Sequence, residues 1–285
     1  MRRLHPLFIS IILTLIAFQA PIHAADAKNK GLYISPLRNY LSLKAGESVT
    51  RAYTVANLTN EPLVVTTSVE QFSVADYSYD LQFGRLEKNW ISLVENRITL
   101  QPNESREIPY RVNIPTNAPA GGQYYTLFAS TNLSEAGLSG TVRAATLLYL
   151  TVDGPLTRAS NIEKASLFPL VLSPRIPYSI DVKNTGNIHY FAYFSAAVDG
   201  LFYHNEQPGA SELLMPGTIR HFDLSTSSPF VPGVYRVTYG YQPDQGAAVR
   251  QEKYILFLPH WFLILLAMGT FIGIRLYRKR RTTDS

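Results

Sequence analysis

Three short motifs occur twice in this chain, in the same order. Val55-Ala56-Asn57 returns as Val182-Lys183-Asn184. Leu100-x-Pro102-x-x-x-Arg106 returns as Leu214-x-Pro216-x-x-x-Arg220, and Gly122-Gln123-Tyr124 as Gly233-Val234-Tyr235. A preserved order at long spacing is the mark of one folding unit used twice in tandem. The repeated residues are of packing type. In each half a strand runs into an asparagine turn, where a short amide can satisfy local backbone groups. A proline-opened turn and a strand carrying arginine follow. Last comes Gly-x-Tyr, where Tyr124 or Tyr235 can act as a tyrosine corner by bonding back to backbone.

The pattern around these motifs has period 2. Ile108, Tyr110, Val112 and Ile114 alternate with Pro109, Arg111 and Asn113. Turn signals separate the runs, as at residues 44–47, 59–62, 101–104 and 118–122. Short alternating strands between such turns predict β-sandwiches. The expected fold class is all-β, with two tandem Ig-like sandwich domains followed by a single transmembrane α-helix. The first domain is expected at residues 31–152 and the second at 153–258, with Gly154-Pro155 as hinge.

The two ends read as membrane-handling segments. Arg2 and Arg3 precede an apolar run, Leu7 to Phe18, and small residues follow. This predicts a signal peptide over residues 1–24, cleaved after Ala24 or after Ala27. Ile255 to Ile274 carries no formal charge over 20 residues. At helical rise such a run covers about 30 Å, the thickness of a bilayer core. Trp261 suits the interface, and Arg275, Arg278, Lys279, Arg280 and Arg281 form a stop-transfer cluster. Residues 275–285 then form a basic cytoplasmic tail, with the N-terminal part outside a plasma membrane. The formal net charge of +5 is explained by these ends. The signal holds +2 and the tail +4, leaving −1 for residues 25–274. A nearly neutral body argues against a nucleic-acid partner.

Chemistry is sparse. With no cysteine there is no disulfide, thiol catalysis or Cys-based metal site. No G-x-S-x-G, H-E-x-x-H, P-loop or G-x-G-x-x-G motif occurs. His189, His204, His221 and His260 show no ligand spacing with carboxylates, and His189 reads as an ordinary surface histidine at a strand start. Asp76 and Asp80 bracket Tyr77-Ser78-Tyr79 without the oxygen density of a calcium loop. The expectation is therefore no catalytic residue, no metal and no cofactor. Residues 71–91 break the strand rhythm with Phe72, Tyr77, Tyr79, Phe83 and Trp90. Such a stretch can form an aromatic platform, with Tyr77, Tyr79 and Trp90 as candidate ligand-binding residues; the competing reading puts Phe72, Phe83 and Trp90 in the core. Tyr190 to Phe194 reads as a strand covered on both faces.

Residues 34–63 (ISPLRNYLSLKAGESVTRAYTVANLTNEPL) and 100–125 (LQPNESREIPYRVNIPTNAPAGGQYY) resemble the Ig-like domains of bacterial cell-surface proteins of the WxL-interacting type. Those proteins also carry two tandem β domains, one C-terminal span and a basic tail. The NTGNIH, LLMPGTIRHF and PGVYRVTYGY segments resemble the follow-on domain of similar proteins. The chain departs from the family in lacking a Pro-Glu-Asn-Gln segment near the mature N-terminus. Pilus-chaperone-like sandwiches share the early strand pattern. The resemblance implies a non-enzymatic, membrane-anchored protein binding a cell-wall polymer or a surface protein. Two alternatives stand beside it: a tethered hydrolase using Asp76 and Asp80 on wall polysaccharide, and a chaperone-like strand-pairing module. A long, uncharged open edge would favour the last.

Overall fold

A computed structural model describes residues 31–135 and 138–281. The expected signal peptide and its cleavage points lie outside the described residues, as do the last four residues of the tail. In the first half the strands are β1 (Leu32–Ser35), β2 (Arg38–Leu43), β3 (Ser48–Asn57), β4 (Leu63–Val74), β5 (Leu81–Gly84), β6 (Ile91–Leu93), β7 (Arg97–Leu100), β8 (Ser105–Asn113), β9 (Gly121–Glu135) and β10 (Leu138–Val152). In the second they are β11 (Ser160–Leu167), β12 (Leu170–Val171), β13 (Arg175–Asn184), β14 (Tyr190–Gly200), β15 (Tyr203–Leu214), β16 (Ile219–Ser227), β17 (Gly233–Pro243) and β18 (Val249–Phe257). One helix, α1 (His260–Arg281), follows.

Each half is a two-sheet sandwich. The first stacks β1-β3-β8-β6 on β2-β10-β9-β4-β5, with β7 also paired to β4. The second stacks β11-β13-β16 on β12-β18-β17-β14-β15. Both open in the same way. The first strand pairs antiparallel in one sheet, then the chain crosses and continues parallel to the last strand of the other. Thus β1 lies on β3 and β2 on β10, while β11 lies on β13 and β12 on β18. The Ser35–Pro36 peptide at the first crossing is cis. Alternation fills the cores. Ile108, Tyr110 and Val112 of β8 point inward against Leu127, Leu148 and Leu150. Ile176, Tyr178 and Ile180 of β13 do the same against Val237, Tyr239 and Ile255. Each such aliphatic side chain contributes about 2 kcal/mol on leaving water.

The repeated asparagines are fully buried and make matching bonds. Asn57 Nδ2 donates to the carbonyls of Glu61 and Leu100, and its Oδ1 accepts from the Thr59 N–H. Asn184 Nδ2 donates to those of Ile188 and Leu214, and its Oδ1 accepts from the Gly186 N–H. The acceptors Leu100 and Leu214 are the first residues of the second repeated motif. The turn after each has a left-handed residue one place beyond its proline, Asn103 (φ 61) or Gly217 (φ 76).

The apolar run at the C-terminus divides differently from its sequence reading of 255–274. Ile255 and Phe257 are buried in the second core with Leu256 between them outward, so the run begins as strand. Pro259 ends that strand, and its missing N–H suits the position before a helix. The helix starts at His260 and continues past Ile274 to Arg281. Arginine, lysine and leucine are good helix formers and no breaker intervenes. The helix is long and apolar enough to cross a membrane.

Replacing Asn57 with alanine strands buried carbonyls and an N–H, and is expected to destabilise the first sandwich by on the order of 3 kcal/mol. Asn184→Ala should do the same to the second. Urea unfolding of the detergent-solubilised chain checks this, with exposed Asn132→Ala expected to stay within about 0.5 kcal/mol.

Candidate functional site

The aromatic stretch at residues 71–91 does not form a single platform. Trp90 is only 9% exposed and belongs to the first core, with the Lys88 ammonium 5.2 Å from its ring centroid. Phe72 is buried too, but between the domains and not within the first core. Phe83 stays exposed at the surface, edge-on to Phe128. Tyr77 is 54% exposed. Tyr79 packs against the second domain. The structure therefore brings Tyr77 and Tyr79 together and leaves Trp90 apart.

The reason is a tight turn after β4. The Ala75 N–H donates to the Asp80 carbonyl and the Tyr79 N–H to the Ala75 carbonyl, with Tyr77 and Tyr79 both at positive φ (65 and 62). Two bulky residues in the left-handed region store backbone strain. Contacts with the second domain offset it. The Ile219 N–H donates to Asp76 Oδ1 (2.8 Å), and the Tyr77 N–H to the Ile219 carbonyl (2.8 Å). The Met215 N–H donates to the Tyr79 hydroxyl (2.7 Å). The Arg220 guanidinium lies over the Tyr79 ring at 4.1 Å, donates to the Leu213 carbonyl and pairs with Glu212. Burial raises the Tyr79 phenol above its ordinary range. Asp76 is thus occupied as an acceptor for backbone. Among the described residues no group of three histidine or carboxylate side chains could hold a metal ion.

A second contact lies beside it. The Gly122 N–H donates to the Asn187 carbonyl, and Asn187 Nδ2 to the carbonyls of Ala120 and Pro155. At Gly121 (φ +136) an added Cβ would stand 2.7 Å from the Asn187 oxygen, so the domains approach closely only because glycine is there. Phe72, Val74, Tyr124 and Tyr149 of the first domain meet Leu213 and Met215 of the second in one apolar cluster. Phe191 packs against the same cluster, while Tyr193 is exposed, so β14 is covered on both faces only in part.

The two Gly-x-Tyr motifs have separated in role. Tyr235 donates to the Val231 carbonyl four residues back, as a tyrosine corner does. Tyr124 instead reaches the second domain, where its hydroxyl accepts from the His189 N–H at 3.1 Å and lies 3.2 Å from His189 Nδ1. The sequence reading of His189 as an ordinary surface residue is corrected by this position: its ring packs on Tyr40, Tyr124 and Tyr149. Burial, helped by the nearby Arg158 charge, pushes its pKa down to about 4. The Tyr124 proton is then available to Nδ1 of a neutral imidazole. No local signal marked this residue, since its partners are far away in sequence.

Among the described residues, part of one strand of the first sandwich has a partner on one side only. β10 pairs with β9 along its whole length, Leu138–Val152, but with β2 only from Leu147 to Val152. The Leu147 N–H donates to the Leu37 carbonyl and the Asp153 N–H to that of Leu43. Odd-numbered residues of β10 therefore face the β2 side, and by alternation Arg143 and Ala145 turn their backbone groups to the unpaired edge. Thr146 marks where the slot ends, donating to the Pro36 carbonyl and accepting from Asn39 Nδ2. Arg143 is the sole charged residue from Leu138 to Thr146. Its guanidinium is turned to Glu70 and to the Phe128 ring.

No protein family description and no curated protein matches the chain. Among solved structures it is similar to the class 5 fimbriae chaperone CfaA, with 13% identity and TM-score 0.46 over 80% of this chain and 100% of that one. It is also similar to the CsuC–CsuE chaperone–tip adhesion subunit complex of Acinetobacter baumannii, at 16% identity and TM-score 0.38 over 67% and 89%. A third is the E. coli chaperone DraB, at 12% and 0.35 over 79% and 96%. The likeness assigns neither activity nor partner to this chain.

The buried neutral histidine gives a signed pH dependence. The unfolded chain binds a proton near pH 6.5 that the folded chain refuses until about pH 4. The stabilising contribution is complete above 6.5 and falls as pH drops toward 4, by on the order of 2 kcal/mol. Thermal unfolding of the wild type and of His189→Asn from pH 8 to 4 checks this: the wild type's advantage should shrink through that window.

Proposed function

We propose that this is a non-enzymatic envelope protein, tethered by α1, whose first sandwich accepts an extended segment of a partner protein along the open edge of β10. The observation that carries this is the edge of β10 from Leu138 to Thr146, which β2 does not reach and which has no other strand partner among the described residues. An exposed row of N–H and C=O groups is a template for another strand, and proteins that do not use one normally blunt it with charge or proline. Here the single arginine is directed to Glu70. A segment added in this slot would continue the line of β2 beyond the point where the chain crosses to the other sheet. A protein partner is favoured over a wall polymer because Tyr77, Tyr79 and Trp90 share no exposed face. Support for the tether comes from the apolar helix with its basic end, and from the resemblance to anchored WxL-interacting proteins.

A photo-crosslinking amino acid at Thr141 of the full chain, in its own cell envelope, tests this. Adducts should map by mass spectrometry to one extended segment of another envelope protein. Ala145→Pro removes an outward N–H without touching the β9 ladder. It should abolish the adducts while the protein stays folded. Adducts that are absent, or that survive Ala145→Pro, would remove the edge from the proposal.

A further inference from the structure

The end of the second sandwich next to α1 carries apolar side chains on four separate segments. Phe202 and Leu201 form the β14–β15 tip and are 96% and 89% exposed. Phe230, at 76%, lies with Val231 before β17. Phe168, at 69%, precedes β12, where Leu170 is also exposed. Val234 and Leu256, directly paired across β17 and β18, point outward beside them. Register puts all four segments at one end. Gly233 opposes Phe257, three residues before the helix starts. Leu170 opposes Leu256, and Asp199, at the base of the tip, opposes Arg236 near the start of β17.

No linker separates this end from α1. The Leu258 N–H still donates to the Val171 carbonyl, and the helix begins at His260. Phe230 stacks on Trp261 of the first helical turn, with ring centroids 5.3 Å apart and planes inclined by 20°. The apolar surface of the sandwich is therefore continuous with that of the helix. We infer that this end of the second domain is seated in the bilayer interface, with Leu201, Phe202, Phe168 and Phe230 inserted among the lipid headgroups and upper acyl chains. The inference rests on the reading of α1 as a membrane span.

The chemistry of the patch fits lipid better than a folded protein. Scattered exposed apolar residues are normal, but several loop tips converging on a helix that can enter a membrane form one patch. Aromatic and aliphatic side chains on exposed loop tips suit the soft interfacial layer, where no matching pocket is needed. The carboxylate nearest the tip is compensated. Asp199 bonds to His204 at 2.6 Å and to Arg236 at 3.5 Å, and the His204 contact holds its pKa below the usual value. The hairpin can thus approach a headgroup layer without presenting an isolated negative charge.

The absence of cysteine makes the test direct, because a single introduced thiol is a unique label site. The full chain is reconstituted in phosphatidylcholine vesicles with Phe202→Cys, Phe168→Cys or Glu104→Cys. Each is labelled with an environment-sensitive fluorophore and exposed to lipid-borne nitroxide quenchers. Met268→Cys in the helix reports the span itself. The expected result is a blue shift and loss of fluorescence at 202, 168 and 268, with 104 unaffected. Quenching at 268 with 202 and 168 behaving like 104 would overturn the inference and leave the span intact. No quenching at 268 would overturn the span and the inference together.

Discussion

A buried carboxamide holds each sandwich in its shape. Where β3 or β13 ends, the chain must leave its ladder and turn, and the carbonyl of Leu100 or Leu214 on a neighbouring element faces that end. Asn57 and Asn184 each supply a donor to that carbonyl, a second donor to the turn four residues on, and an acceptor for the N–H two residues on. An aspartate in the same place would offer no donor and a leucine neither function. Because unsatisfied buried groups are expensive, this single side chain fixes where the strand stops relative to the opposing turn. From Leu100 or Leu214 the turn proline and the strand arginine follow at the same spacing in both halves.

The two copies differ most where they meet. Arg106 remains within its own sandwich, paired with Glu95, whereas Arg220 holds Glu212, the Leu213 carbonyl and the Tyr79 ring. Tyr235 closes a corner in its own domain, whereas Tyr124 has turned outward to His189. The same motif positions thus serve packing in one copy and the interface in the other. Two separate contact patches, the turn at residues 75–80 and the loop at 120–124, flank one apolar cluster. Two patches resist rotation in a way that the Gly154-Pro155 connection alone would not. Gly154 is itself confined, since a Cβ there would meet that of Ala120 at 2.7 Å.

What was legible in the sequence was local or periodic. The β8 alternation and the Tyr235 corner are decided by residues near each other in the chain, and each motif of the repeat is short enough to be recognised on its own. The aromatic stretch was harder to read because its fate depends on distant backbone. Tyr79 receives its hydrogen bond from a residue 136 positions away, and Asp76 from one 143 away. An irregular aromatic segment looks the same in sequence whether it faces a sugar or a neighbouring domain. The start of the apolar helix was blurred for a related reason. Ile255, Leu256 and Phe257 are as apolar as the helix, and only their in-out-in burial shows that they end a strand.

The contacts between the domains and the direct junction with α1 together determine where the uncovered part of β10 stands. The C-terminal end of β10 runs directly into the second domain, which in turn meets α1 without a spacer. Leu138 to Thr146, which β2 does not reach, are therefore at the far end of the long β9–β10 pair. Fifteen residues of extended strand span about 50 Å, so that end stands well away from the interface between the domains. A strand added there would be held at a set distance and orientation relative to the helix. For the proposed strand addition, geometry of that kind suits a site that receives a segment at a fixed place, because two contact patches join the domains and no linker precedes α1.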